Sequence, residues 1–123
     1  MTKPRVLVVE DNELNMELIS DVLELAGFEV MQATDGPSGV EAATADRPDL
    51  ILMDLQLPGM DGLEATRSLK ANPATRNIPV VAVTSHAMKG GRDKALAEGC
   101  AGYITKPIDV HNLAAEVRRH LPR

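Results

Sequence analysis

The segment Leu50-Ile51-Leu52-Met53-Asp54 places four apolar residues directly before a carboxylate. A short run that is apolar on both faces is typical of a strand buried in a parallel sheet. Pro48-Asp49 marks its start, and Pro58-Gly59 follows soon after its end. Open α/β sheets bind their ligands at the carboxyl ends of such strands. The segment therefore predicts both a fold class and the place of a functional site.

Two other apolar runs also end in polar residues. Val6-Leu7-Val8-Val9 leads into Glu10-Asp11, and Val80-Val81-Ala82-Val83 leads into Thr84-Ser85. If the three strands are neighbours in one parallel sheet, their polar ends meet at the same edge. We therefore expect a pocket built around Asp54.

The chain alternates strand and helix five times, with connections of a few residues. This alternation predicts a single α/β domain over residues 1–123, with a parallel sheet and helices on both faces. The predicted strands cover Arg5–Val9, Phe28–Gln32, Leu50–Asp54, Val80–Val83 and Ala101–Thr105. The predicted helices cover Glu13–Ala26, Gly36–Ala45, Gly62–Ala71, Met88–Glu98 and a last helix that is capped by Asp109.

Composition narrows the class of protein. The net charge is −5 and no block of Lys or Arg occurs, which argues against direct binding of DNA or RNA. The single cysteine, Cys100, excludes an internal disulfide and a zinc site built from several cysteines. No signal peptide and no membrane-spanning apolar run is present, so we expect a cytoplasmic protein.

Predicted helix 1 carries two apolar stripes. Leu14, Leu18, Val22 and Leu25 have the 4, 4, 3 spacing of a stripe that faces a core. Met16, Ile19 and Leu23 fall roughly opposite. This second stripe is either buried by the domain itself or exposed as a docking surface for a partner helix, and periodicity alone leaves both open.

Glu10, Asp11 and Asp54 are predicted to bring three carboxylates together. Like charges at short range oppose ionisation unless a cation lies between them, and Mg²⁺ binds one or two carboxylates while sharing itself with a phosphate. Alternatively, Glu10 and Asp11 only interact with the positive end of helix 1, for which Asn12 is the expected N-cap.

Thr84 and Lys106 supply the groups that a phosphorylated Asp54 would need. A carboxylate can act as a nucleophile and form an aspartyl phosphate. The phosphoryl oxygens then need an ammonium group to balance their charge and a hydroxyl group to donate a hydrogen bond. The alternatives are a structural salt bridge for Lys106 and a helix cap for Thr84. The Lys106-Pro107 bond is a candidate cis peptide that would direct Lys106 into the pocket.

The chain resembles the receiver domain of two-component response regulators along its whole length. The matching segments are Val8–Asn12, Leu52–Gly62, Val83-Thr84 and Tyr103–Pro107, in this order and at the separations typical of that family. Ser85 departs from the alanine that is usual in the family. Glu10–Met16 and Ala87–Gly90 are most similar to its stand-alone members, although receivers attached to hybrid histidine kinases are similar there too.

The resemblance implies a flavodoxin-like receiver fold with sheet order 2-1-3-4-5 and no output domain. It implies that Asp54 is the phosphoacceptor, that Mg²⁺ or Mn²⁺ is the cofactor, and that a histidine kinase or histidine phosphotransfer protein is the donor. The implied metal ligands are Asp11, Asp54 and the backbone carbonyl of Gln56, with Glu10 acting through water. Thr84 and Tyr103 would be switch residues and Lys106 the phosphate-pairing lysine.

The implied output is a change in the face formed by helix 4, strand 5 and helix 5, which is then read by a downstream protein. The chain would be a monomer that can dimerise when phosphorylated, and it would turn over no external substrate. Met16, Ile19 and Leu23, beside the pocket, are a candidate docking surface for the donor. Two alternatives are weaker: a flavin-binding module, whose first loop would not be acidic, and an aspartate-based phosphatase, in which Gln56 would commonly be a second acid.

Overall fold

The structure is a computed structural model that describes residues 3–85 and 90–122, apart from the side chain of residue 85. Its strands are β1 (Arg5–Val9), β2 (Glu29–Ala33), β3 (Leu50–Asp54), β4 (Val80–Ser85) and β5 (Gly102–Lys106). Its helices are α1 (Glu13–Leu25), α2 (Gly36–Asp46), α3 (Gly62–Ala71), α4 (Gly91–Ala97) and α5 (Leu113–His120). The predicted boundaries are confirmed to within one or two residues, except at α4 and α5.

All strands of the sheet are parallel, in the order β2-β1-β3-β4-β5. This confirms the expected order and puts β3 at the centre. Every residue of β3 is buried, as expected for a strand covered on both faces. One core lies between the sheet and α2, α3 and α4, and the other lies between the sheet and α1 and α5.

The helix ends mostly follow local sequence rules. Asn12 is the N-cap of α1, and its side-chain oxygen accepts a hydrogen bond from the Asn15 N–H at 3.0 Å. Asp61 caps α3 in the same way through the Glu64 N–H at 2.8 Å. Within the described residues, no helix is both long and apolar enough to cross a membrane.

The predicted start of α5 is wrong. Asp109 does not cap the helix; its carboxylate accepts hydrogen bonds from the His111 N–H and the Asn112 side chain, which close a turn before the helix. The helix begins at Leu113 after Asn112, because the Asp109 carbonyl oxygen also accepts a hydrogen bond from the Asn112 N–H and so holds this segment in a turn.

The start of α4 also differs from the prediction. Described α4 begins at Gly91, after Gly90 in a left-handed conformation, and the predicted residues Met88 and Lys89 lie outside the described part of the chain. A glycine is suited to this position because it adopts a positive φ without a steric penalty.

The predicted core stripe of α1 is wrong. Leu14 and Leu25 are 78% and 90% exposed, and Leu18 is 45% exposed. Only Val22 of this stripe is half-buried and packs against the core. The core is filled instead by the opposite stripe, Met16, Ile19 and Leu23, which is at most 7% exposed. The candidate docking role of Met16, Ile19 and Leu23 is therefore also wrong, since buried side chains are not accessible to a partner.

A pair of substitutions tests this orientation of α1. Leu23→Ala removes a fully buried side chain and is expected to lower the free energy of unfolding by about 2–5 kcal/mol. Leu25→Ala, two residues away and 90% exposed, should change it by about 0.5 kcal/mol or less. Urea unfolding of both variants measures the difference, and equal losses would contradict the assignment.

Candidate functional site

The candidate site lies at the carboxyl end of the sheet, where β1, β3 and β5 deliver charged side chains to one point. Glu10 follows β1, Asp54 ends β3 and Lys106 ends β5. The Lys106 Nζ lies 3.0 Å from Asp54 Oδ2 and 3.0 Å from Glu10 Oε1. Both carboxylates are only 2% exposed, so this is a buried cluster of two negative charges and one positive charge.

The backbone holds both buried carboxylates in position. The N–H of Gln56 donates to Asp54 Oδ1 at 2.9 Å, so the loop after β3 folds back over its own aspartate. The N–H of Asn12 donates to Glu10 Oε2 at 3.1 Å in the same manner. Each acid is therefore oriented by the turn that follows its strand, which fixes the direction in which its second oxygen points.

Asp11 completes an acidic group with Glu10 and Asp54. One carboxylate oxygen of each residue lies within 4.8 Å of the other two. Asp11 is exposed while the other two are buried, so the group opens towards solvent at one side. The predicted convergence of the three acids is confirmed.

The buried carboxylates of the group disfavour each other's ionised form. Burial raises the pKa of Glu10, and the facing Asp54 carboxyl adds to this, against the opposing effects of the Asn12 N–H and Lys106. Glu10 Oε1 is buried, and its partner is the Lys106 Nζ at 3.0 Å. A single ammonium group thus serves two buried carboxylates.

Lys106 is held as a cation by this surrounding. Burial lowers the pKa of Lys106, but its hydrogen bonds to Asp54 and Glu10 outweigh that effect and raise the pKa above its ordinary value. The peptide bond between Lys106 and Pro107 is cis, as considered from the sequence. The salt bridge that was the alternative role for Lys106 is present, and it joins Lys106 to both Asp54 and Glu10.

These residues fit a hard divalent cation. Mg²⁺ prefers oxygen ligands and uses one or two carboxylates with waters. The acidic group offers three carboxylate oxygens at close range, and the exposed Asp11 opens it to solvent and to metal-bound waters. The N–H of Gln56 donates a hydrogen bond to Asp54. The carbonyl group of Gln56 stays a predicted metal ligand.

Thr84 and Tyr103 lie on the strands beside this cluster. Asp54 is paired in register with Val83, so the fully buried Thr84 is the next residue of the neighbouring strand. Thr84 in turn is paired with Thr105. Tyr103 is farther along β5, half-buried, and packs against the core on the α4 side. Their roles as switch residues stay predictions.

Sequence reasoning missed the role of Gly62. A Cβ at this position would lie 2.2 Å from the Asp54 carbonyl oxygen and 2.6 Å from the Leu55 Cα. The first turn of α3 thus packs directly against the backbone of the phosphoacceptor candidate. A glycine inside the first helical turn, where it has low helix propensity, is the sequence signal that points to such a close approach.

The chain is similar to known proteins of one family. A model of the response regulator receiver domain matches residues 6–118. The polar-differentiation response regulator DivK of Brucella ovis is 46% identical over 121 residues, which cover 98% of each chain. DivK of Brucella anthropi is 46% identical over 116 residues, or 94% of each chain.

Solved structures give the same result. A response regulator from Chloroflexus aurantiacus has a TM-score of 0.94 and 26% identity, covering 99% of this chain and 100% of its own. The receiver domain of a sensor histidine kinase from Pseudomonas aeruginosa has a TM-score of 0.89 and 35% identity over 97% of this chain and 98% of its own. That structure has a magnesium ion coordinated in its active site cleft.

Proposed function

Because this chain belongs to the family of response regulator receiver domains, we propose that it is a phosphorylation switch whose acceptor is Asp54. The observation that supports this most directly is the contact of one lysine with two buried acids at the carboxyl end of the sheet. Lys106 lies 3.0 Å from Asp54, which places a permanent positive charge beside the oxygen that would carry the phosphoryl group. A histidine kinase or a histidine phosphotransfer protein is the proposed donor.

The transfer is a displacement at phosphorus. A carboxylate oxygen of Asp54 bonds to phosphorus while the bond from phosphorus to the donor imidazole nitrogen breaks and the nitrogen keeps the electron pair. Lys106 then exchanges part of its contact with the carboxylate for an equatorial phosphoryl oxygen. Thr84 offers its hydroxyl to a second oxygen, and the Gln56 N–H keeps the carboxyl group oriented.

Bound Mg²⁺ would supply further positive charge to the phosphoryl oxygens. The residues proposed to hold it are Asp11, Asp54 and the Gln56 carbonyl, with Glu10 acting through water. Mg²⁺ held in this way would balance the negative charge of the three acids, which Lys106 alone does not neutralise.

The proposed output surface lies next to β4 and β5, the strands that carry Thr84 and Lys106. Movement of Thr84 towards the phosphoryl group and inward rotation of Tyr103 would alter the face formed by α4, β5 and α5, which a downstream protein reads in the cytoplasm. A second candidate is a receiver domain that belongs to a hybrid histidine kinase. The 35% identity to the receiver domain of a sensor histidine kinase favours it. The chemistry at Asp54 would be the same in both.

The proposal is tested by labelling the chain with a radioactive phosphohistidine donor protein and, separately, with phosphoramidate. In the presence of Mg²⁺ we expect one phosphoryl group per chain that hydroxylamine releases, and no labelling in excess chelator. Label that resists hydroxylamine, or that forms equally well without divalent metal, would contradict an aspartyl phosphate at this site.

Metal binding has its own prediction. Ligand binding to the native state adds about 2.7 kcal/mol to the free energy of unfolding at a hundred times the dissociation constant. We therefore expect saturating Mg²⁺ to raise the unfolding temperature of the wild-type chain and to raise that of Asp11→Asn much less. Asp46→Asn, an exposed acid at the end of α2, is the matched control and should respond like the wild type. Equal responses of all three proteins would show that the metal does not bind at this acidic group.

A further inference from the structure

Helix α2 contributes no predicted ligand to the acidic group, yet it presses on two segments that do. Gly36 and Gly39 lie one turn apart on its buried side. A Cβ at Gly36 would lie 2.9 Å from the carbonyl oxygen of Met60, in the loop that follows β3. A Cβ at Gly39 would lie 2.8 Å from the Cγ2 methyl group of Val9, the last residue of β1. Both distances are well inside van der Waals contact.

The two segments that α2 contacts carry different parts of the site. β1 ends directly before Glu10 and Asp11, two acids of the group. The loop between β3 and α3 contains Gln56, whose N–H orients Asp54 and whose carbonyl group is a proposed metal ligand. Helix α2 therefore touches both the strand that delivers two acids and the loop that delivers the carbonyl group.

Neither neighbour of α2 yields easily to an added methyl group. The obstacle at Gly36 includes a backbone carbonyl group, which cannot rotate away. The obstacle at Gly39 is a β-branched side chain that is 1% exposed and packed in the core. The start of α2 is itself fixed, since Asp35 and Ser38 form a capping box. A methyl group at either glycine must therefore displace the helix, the end of β1 or the loop.

We infer that α2 is a positioning element of the proposed metal site, and that its contacts through Gly36 and Gly39 set the separation between the acids after β1 and the Gln56 carbonyl group. The two glycines belong to one helix, so a displacement at one contact is passed to the other. This inference rests on the proposed function, because the metal in question is the one that Asp11, Asp54 and the Gln56 carbonyl group would hold.

Helix propensity and packing predict opposite results for Gly39→Ala. Propensity alone would stabilise α2, because alanine is the better helix former. The new methyl group meets Val9, so we expect the affinity for Mn²⁺ to fall about tenfold, the scale of losing a group that orients a metal ligand. Gly36→Ala should act in the same direction. Mn²⁺ suits the same oxygen ligands as Mg²⁺, and its free concentration during a titration is measured by electron paramagnetic resonance, with no phosphodonor present.

Val9→Ala provides a rescue. It removes both methyl groups that obstruct the Cβ at residue 39 and leaves only the Cβ of residue 9, at an ordinary contact distance of 3.6 Å. In the Val9→Ala background we therefore expect Gly39→Ala to change the Mn²⁺ affinity by less than about twofold. Ala45→Gly is the matched control at an exposed position of α2, since it lowers helix propensity without altering either contact. Its Mn²⁺ affinity should equal that of the wild type.

Circular dichroism verifies that each variant is folded. Should Gly39→Ala fail to fold, the double variant carries the test, and a folded double variant that binds Mn²⁺ clearly more weakly than Val9→Ala would overturn the inference. Equal affinities of the wild type, Gly36→Ala and Gly39→Ala would also overturn it, as would an equal loss in Ala45→Gly. A wild-type chain that binds no Mn²⁺ would contradict the proposed metal site and this inference with it, which distinguishes the two failures.

Discussion

Asp54→Asn is expected to lower phosphoryl transfer from a cognate histidine phosphodonor by at least about a thousandfold, the scale of losing a nucleophile. The carboxamide lacks the anionic oxygen that attacks phosphorus. It also cannot form the ion pair that Lys106 makes with Asp54 Oδ2 at 3.0 Å. The variant should remain folded, because the substitution removes one of the like charges that face each other in the buried group.

Transfer of radioactive phosphate from the donor protein, followed over time, measures this effect. Asp46→Asn should be labelled at the wild-type rate, since Asp46 is an exposed acid outside the site. Hydroxylamine-sensitive label that persists in Asp54→Asn would show that another carboxylate is the acceptor. Loss of label in both variants would point to a defect unrelated to the acceptor.

Gly62→Ala is expected to have the largest effect among single-methyl additions near the site. The new Cβ would lie 2.2 Å from the Asp54 carbonyl oxygen and 2.6 Å from the Leu55 Cα, and both are backbone atoms that cannot rotate away. The end of β3 or the start of α3 must shift, at a cost of about 1–3 kcal/mol or more in the free energy of unfolding. The shift would also displace Asp54 from Lys106, so labelling should fall more than stability alone explains.

Gly59→Ala, in the loop just before α3, is the matched control. Gly59 has a φ of +73°, but a Cβ there meets no atom within 4 Å, so only backbone strain of about 1 kcal/mol is expected. Chemical unfolding and labelling with phosphoramidate compare the two variants. Equal stability and equal labelling of the two variants would show that the packing of α3 against β3 does not affect the site.

The fold was largely predictable because its strands are short apolar runs that end in charged or small polar residues. The burial of β3 and the meeting of Glu10, Asp11 and Asp54 both followed from this pattern. The contact of Lys106 with Asp54 was considered from the position of Lys106 after the last predicted strand, and the resemblance to a known family then gave that lysine a specific role.

The orientation of α1 was not predicted, for a physical reason. Periodicity shows that a helix has apolar stripes but not which of two stripes faces inward, and the stripe with the more regular spacing was the exposed one. The acids contained the missing information. Asp21 lies three residues after Leu18 and four before Leu25, so burying the leucines would have drawn a carboxylate towards the core.

The close approach of Gly62 to Asp54 and the early turn at Asp109 were missed because both depend on contacts that form only in the folded chain. Asp109 is a good N-cap residue by type, but its carboxylate is used by the turn before the helix. Helix propensity at Gly62 indicated only an unfavourable residue, and the reason became visible with the backbone of β3 beside it.

The site joins residues from the first strand to the last, from Glu10 to Lys106, through a sheet whose central strand is β3. During synthesis from the N-terminus, the ribosome must release β5 before Lys106 can reach the acids that were made much earlier. Until then Glu10 and Asp54 lack their counter-charge, and no partial chain without β5 contains the complete charge cluster. Under the proposed function, a nascent or truncated chain without β5 would therefore not compete with the finished domain for phosphoryl groups.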